Sequence, residues 1–274
     1  MAADHRKDWG AGAEAAQPQL RIDRPQAGLA IVTLNRPAVM NALSWDLRIL
    51  LIDAFGTLQR DGVRVVVLTG AGRAFCAGLD LGEAATDSRA LSSVSSHSPV
   101  AAIERFEGVV IGAVNGAAVT GGFELALACD ILIASDYARF ADTHVKVGAM
   151  PGWGLSQKLS RAIGPYRAKQ MSLTGRYVSA AQAADWGLVA EVVAPGQLLA
   201  VATGLAQHLL AQPADVLRSY TRLIDDGYAV TLSDGLAMEA ERATTHNEAV
   251  DPVSIDARRA SVQAHGKAGL QDSP

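Results

Sequence analysis

A mixed α/β fold follows from three features of this 274-residue sequence. Short valine- and isoleucine-rich runs recur without polar interruption, as strands covered on both faces require. Between them lie stretches with apolar residues at i, i+3, i+4 and i+7, the spacing of a helix that buries one side. Beyond about residue 196 only the helical spacing continues, so a C-terminal helical segment packs on the core or on another subunit.

Taken in order, residues 1–20 carry charges and alanines without periodicity. They are expected to form a disordered leader, because so little apolar surface cannot offset the entropy of ordering it. No apolar stretch precedes a cleavage-like site and no run reaches about 18 uninterrupted apolar residues, which predicts a cytoplasmic protein without a membrane span. Residues 29–34 read as a strand, ended at Asn35-Arg36-Pro37 because proline lacks a ladder donor and biases its predecessor away from helix. Ser44 is placed to cap a helix with apolar positions Leu47, Leu50, Leu51, Ala54, Phe55 and Leu58, and Asp61-Gly62 stops it.

Residues 63–69 form a second apolar strand that delivers a glycine loop over residues 70–80. The serine-rich residues 92–99 read as a mobile loop or a frayed helix end. Residues 109–114 make another buried strand, Asn115-Gly116 turns it, and Gly121-Gly122 opens a short helix over residues 123–129. A strand at 131–134 follows. Pro151-Gly152 breaks the chain before helices at 155–163 and 166–173. Ser179 with Gln182 makes a capping box for a helix ending at Gly187, and residues 189–193 close the strand set. The expected organisation is a leader over 1–20, a core over 21–200 and a helical segment over 201–274.

Charge and cysteine usage exclude several functions. Twenty-four Lys and Arg against 28 Asp and Glu give a net charge of −4. No basic stripe is available to neutralise a phosphate backbone, so no nucleic-acid partner is expected. Cys76 and Cys129 are too few for a disulfide framework or a zinc site, so no metal is expected and a reducing compartment fits.

Two segments share one design: an apolar strand runs into a loop nearly free of bulky side chains, at residues 70–80 and again at 116–122. Such loops expose backbone N–H groups, and amides at a helix start suit an anionic oxygen. Two of them converging from different loops would form an oxyanion hole. Glycines that only permit tight turns would produce the same composition. A dinucleotide-binding reading of Gly70-Ala71-Gly72 fails in detail, because the third glycine of that fingerprint falls on Phe75 and no regular helix follows at once.

Several motifs in series carry a family resemblance. Arg36-Pro37 with Asn41-Ala42-Leu43-Ser44 comes first, then Ala74-Phe75-Cys76-Ala77-Gly78-Leu79-Asp80. Ala113-Val114-Asn115-Gly116, Gly121-Gly122-Phe123-Glu124-Leu125 and Cys129-Asp130 follow, and the series continues through Phe140, Gly148, Pro151-Gly152 and Leu173-Thr174-Gly175. In order and without large gaps over residues 28–200, these closely resemble the enoyl-CoA hydratase (crotonase) family. The resemblance implies a spiral of repeated strand-strand-helix turns, with C-terminal helices that pack homotrimers or hexamers. It implies an acyl-CoA thioester substrate and no separate cofactor, coenzyme A being part of that substrate. The thioester oxygen would sit between the N–H groups of Leu79 and Gly121, and the loop of Ala74, Cys76, Ala77, Gly78, Leu79, Asp80, Leu81 and Gly82 would bind the substrate.

Glu124 matches one of the two catalytic glutamates of the family's hydratases. Burial there raises a carboxyl pKa, although the helix N-terminus opposes the rise. The second glutamate position falls on His144, a departure from the family pattern. An imidazole can accept or donate a proton near neutral pH, so hydration of a 2-enoyl-CoA stays open with Glu124 and His144 as the pair. The change also leaves room for isomerisation, thioester hydrolysis or decarboxylation from the same enolate, or for a binding paralogue without chemistry. Asp80 could touch the ligand, but an aspartate entering a helix is more often a cap, and no catalytic role is expected of it. Cys76 has no neighbours that would lower its pKa, so a nucleophilic role is not expected.

Overall fold

The computed structural model describes residues 17–87 and 96–271. Strands β1 (Leu20–Gln26), β2 (Leu29–Leu34), β3 (Val65–Gly70), β5 (Val109–Val114), β7 (Ile131–Ser135) and β10 (Glu191–Val193) make a six-stranded sheet in the order β1-β2-β3-β5-β7-β10. A second sheet takes β4 (Ala74–Cys76), β6 (Ala117–Val119), β8 (Arg139–Ala141) and β9 (Val178–Ser179), in the order β4-β6-β8-β9. Pairing is parallel except at β1-β2 and β8-β9. Each turn of chain lays one strand in the large sheet and the next in the small one, then passes through helix. The pairs β3-β4, β5-β6 and β7-β8 thus advance one position per turn in both sheets, which is the spiral that the resemblance implies.

The unbroken apolar runs are explained by what covers them. Val66, Leu68 and Val110 point into the main core with the helix Trp45–Arg60. Their neighbours Val65, Val67, Ile111 and Ala113 meet Leu198, Ala202 and Ala206 of the helix Leu198–Leu210 on the opposite face. With both faces covered, alternation in polarity has no function, and the strands read as continuous valine-rich stretches.

Helix Trp45–Arg60 begins where expected, with the Ser44 hydroxyl accepting the Leu47 N–H at 3.2 Å. Leu47, Leu51, Ala54, Phe55 and Leu58 are buried on one face. Leu50 is exposed instead, and Arg48 takes an inward position. Its guanidinium lies 5.4 Å from both the Trp45 and Trp153 rings and donates to the His97 carbonyl at 2.8 Å, which compensates the charge for lost water. The capping box at Ser179 and Gln182 forms as its sequence indicates.

Residues 1–16 of the expected leader lie outside the described residues, and Leu20 already pairs with Leu34 in β1. Of the serine-rich stretch, residues 92–95 also lie outside them, while Ser98 caps the helix Pro99–Glu104 by accepting the Ala101 N–H. The chain divides into two compact units after Leu217, and the helix Leu198–Leu210 closes the core of the first. The second unit, from Arg218, is helical. Within it Thr231 caps Leu232–Glu248 and Arg242 pairs with Asp226 at 2.7 Å. Tyr220, Ile224, Leu232 and Leu236 are exposed there. Among the described residues, no helix is long and apolar enough to cross a membrane.

Candidate active site

A cavity of about 480 Å³ opens where the two glycine loops meet, lined by Ala77, Leu79, Thr120, Gly121, Glu124 and His144 among others. Its first wall is the 70–80 loop, and Asn41 sets the shape of that loop. The fully buried Asn41 amide donates to the carbonyls of Ala71 at 2.9 Å, Ala74 at 2.8 Å and Phe75 at 3.2 Å, while its oxygen accepts the Arg36 N–H at 2.8 Å. Asn41 sits at φ 57°, a left-handed conformation that asparagine tolerates better than most residues.

Past that clasp the chain runs beside Leu43 as a parallel bridge to Leu79. The Leu43 N–H donates to the Gly78 carbonyl at 2.7 Å, and the Asp80 N–H donates to the Leu43 carbonyl at 3.1 Å. In such a bridge the central residue opposite makes neither bond, so the Leu79 N–H points away from Leu43. It has no acceptor among the described residues.

The second wall comes from β6 and the helix Gly121–Leu127. Thr120 joins them at φ 54°, a strained value for a β-branched residue. Its N–H is held by the Ala141 carbonyl at 2.9 Å, and its hydroxyl meets that of Thr143 at 2.5 Å. The Gly121 N–H that follows is a first-turn amide with no intrahelical acceptor. A Cβ placed on Gly121 would stand 3.6 Å from the Leu79 nitrogen, and one on Gly78 would stand 3.2 Å from the Gly121 nitrogen. Two amides from separate loops, without acceptors among the described residues, therefore lie close together in the wall of one cavity.

Glu124 lies one helical turn on from Gly121, nearly fully buried. One carboxylate oxygen accepts the Trp153 N–H at 2.7 Å and the Leu155 N–H at 3.3 Å. The other lies 3.9 Å from His144 Nε2. Burial pushes the Glu124 pKa above the usual carboxylate range, and the two amides and His144 only partly oppose it. His144 begins a short helix, with its Nδ1 2.7 Å from Asp142 Oδ1 and its N–H donating to the same oxygen at 3.1 Å. Burial would raise the Asp142 pKa, but hydrogen bonds from His144 and Ser172 prevail and hold it below the ordinary value.

These residues match known proteins over most of the chain. The enoyl-CoA hydratase/isomerase family model fits residues 24–257. The chain belongs to that family. A probable peroxisomal enoyl-CoA hydratase 1 of Arabidopsis thaliana is 40% identical over 225 residues, 82% of this chain and 85% of that protein. A short-chain-enoyl-CoA hydratase of Clostridium acetobutylicum is 36% identical, covering 78% of this chain and 84% of its own length. Among solved structures, an enoyl-CoA hydratase of Bacillus anthracis superposes with a TM-score of 0.81 at 33% identity, over 92% of this chain and 97% of that one. A monofunctional enoyl-CoA isomerase of Mycobacterium smegmatis gives 0.69 at 38% identity, over 79% and 97%.

In this family member the cavity gathers Ala77, Leu79, Leu81, Gly121, Glu124 and His144 from the sequence-derived set. Gly78 lies against the Gly121 nitrogen, and its φ of 95° is one that a side chain rarely adopts. The structure does not bring Ala74, Cys76, Asp80 or Gly82 to the cavity wall. Ala74 and Cys76 are buried in β4. The Asp80 carboxylate is engaged as a cap for the Glu83 N–H at 3.3 Å and as the partner of Arg36 at 3.0 Å. Burial pushes the Cys76 thiol up to about 12, which leaves no thiolate for chemistry at neutral pH.

Sequence reasoning missed Asp142, Asn41 as a loop clasp, and the two backbone amides that hold Glu124. Asp142 was detectable in principle, because an aspartate two residues before a histidine can reach its ring. The amides at Trp153 and Leu155 left no side-chain signal at all.

Proposed function

We propose that this protein adds water across the double bond of a 2-enoyl-CoA thioester, giving a 3-hydroxyacyl-CoA. The observation that carries this reading is the adjacency of the unbonded Leu79 and Gly121 amides to the Glu124–His144 pair in one cavity. Water attacks C3, the double-bond electrons move toward the carbonyl, and negative charge collects on the thioester oxygen. Two fixed N–H donors stabilise that charge more than the neutral ground state, and loss of either would raise the barrier by about 2.7–4 kcal/mol. Glu124 and His144 take one proton from the water and return one to C2, so the addition is proton-neutral. Coenzyme A enters as part of the substrate, and no other cofactor is needed for these steps.

The M. smegmatis isomerase motivates a second reading. Moving a double bond from C3 to C2 needs only one base that carries a proton between C4 and C2, and Glu124 alone could do so. Turnover of crotonyl-CoA and longer 2-enoyl-CoAs, measured beside a 3-enoyl-CoA, separates the two. Hydration of the 2-enoyl series is expected; turnover of the 3-enoyl substrate alone would reject it.

The exposed apolar side chains of the helical unit, Tyr220, Ile224, Leu232 and Leu236, support assembly of copies into a homotrimer or hexamer. Light scattering after gel filtration measures this. The working compartment is proposed to be the cytoplasm, and fractionation of the source cells tests that placement.

A further inference from the structure

We propose that Asp142 is a positioning residue that fixes His144 as the Nδ1–H tautomer, so that Nε2 presents its lone pair to the water shared with Glu124. The inference rests on the hydratase reading for its kinetic part only. Three observations lead to it.

The Asp142 carboxylate and the His144 Nδ1 stand 2.7 Å apart, both buried, a distance at which one must donate to the other. An ionised carboxylate only accepts. Asp142 is also held from its other neighbours as an acceptor, by the His144 N–H at 3.1 Å and by the Ser172 side chain. The proton between them therefore belongs to Nδ1, and a neutral imidazole then carries an acceptor at Nε2.

Nε2 faces Glu124 Oε2 at 3.9 Å. That separation is too long for a direct hydrogen bond and suits one oxygen bonded to both groups. Glu124 cannot turn away, because its other oxygen is pinned by the Trp153 and Leu155 amides. The water thus meets two acceptors, and its proton passes to one of them as its oxygen bonds to C3. When that acceptor is Nε2, the imidazolium formed lies against Asp142, which stabilises it without taking the proton. In this way a histidine at the position of the second family glutamate keeps an anionic group in the site, displaced by one ring.

The test joins a tautomer measurement to kinetics. In protein with ¹⁵N-labelled histidine, long-range ¹H–¹⁵N spectra assign each ring nitrogen, and the signals lost in His144→Gln identify residue 144. The expected result is Nδ1–H at neutral pH in the parent and loss of that pattern in Asp142→Asn. An Nε2–H tautomer in the parent overturns the proposal whether or not any substrate turns over. Kinetically, Asp142→Asn should lower kcat on crotonyl-CoA by about 10²–10⁴-fold with little change in KM. The same substitution made on the His144→Gln background should cost almost nothing more, since it acts through the ring. An equal loss in both backgrounds would mean that Asp142 merely supports the fold, and would also overturn the assignment. Absence of crotonyl-CoA turnover in the parent would count against the hydratase reading while the spectra still decide the tautomer.

Discussion

Replacing Glu124 with glutamine separates chemistry from structure more cleanly than any other change in this cavity. Glu124 Oε1 accepts the amides of Trp153 at 2.7 Å and Leu155 at 3.3 Å, and a glutamine carbonyl can accept both. Only the oxygen 3.9 Å from His144 Nε2 is exchanged, for an NH2 group that cannot take a proton. General acid–base catalysis by one side chain is typically worth about 10²–10⁴-fold, or about 3–5 kcal/mol of barrier. Glu124→Gln is therefore expected to lower kcat by that factor while KM for crotonyl-CoA barely moves. Stability should go the other way. Burial raises the folded Glu124 pKa above the unfolded value of about 4.3, so the stability this carboxyl contributes is complete below that pH. It is lost as pH rises through the folded value. The variant has no charge to bury, so its thermal midpoint at pH 8 should equal or exceed that of the parent, and its stability should fall less between pH 4 and pH 8. Retention of more than a tenth of the parent kcat would refute the catalytic role. A large fall in the midpoint with proportionate loss of activity would refute the claim that the amides are satisfied by either side chain.

Other consequences follow from individual contacts. Asn41→Ala strands three carbonyls of the 70–80 loop and puts alanine at φ 57°, so it should cost about 1–3 kcal/mol or more and lower kcat; chemical denaturation and steady-state assays measure both. Cys76, fully buried with its thiol raised to about 12, should resist a thiol reagent in the native protein and react only on unfolding; fast native labelling at Cys76, located by mass spectrometry, would contradict the site as described. Trp153 borders the cavity beside Gly121, so Trp153→Ala should shift kcat/KM toward longer or branched acyl-CoAs relative to crotonyl-CoA. An unchanged preference across a chain-length series would remove Trp153 from the acyl wall.

Elements with a complete local signal were legible in the sequence. Strands Leu29–Leu34 and Val109–Val114, the helix Leu155–Ile163 and the capping box at Ser179 occur as read, because burial on both faces, helical spacing and capping are each encoded within a few residues. The second sheet was invisible. Its strands, such as Ala74–Cys76 and Ala117–Val119, have two or three residues each and exist only because distant loops pair. Strand Leu20–Gln26 is absent from the sequence reading for a different reason: it is an exposed edge strand rich in charge, and its partner supplies most of the apolar face. At the site, Leu79, Gly121, Glu124 and His144 were named from motif resemblance and converge on one cavity. For Asp80 the helix cap that its local position suggests forms with the Glu83 N–H at 3.3 Å, while its pairing with Arg36 at 3.0 Å involves a residue distant in sequence and has no local signal.

The claim on which the rest depends is that two backbone amides share one thioester oxygen. A crystal structure with a bound acyl-CoA substrate analogue measures this directly. The carbonyl oxygen is predicted to lie about 2.7–3.1 Å from both the Leu79 and Gly121 nitrogens. An oxygen placed beyond hydrogen-bond reach of either amide, with the acyl group still in this cavity, would contradict the account.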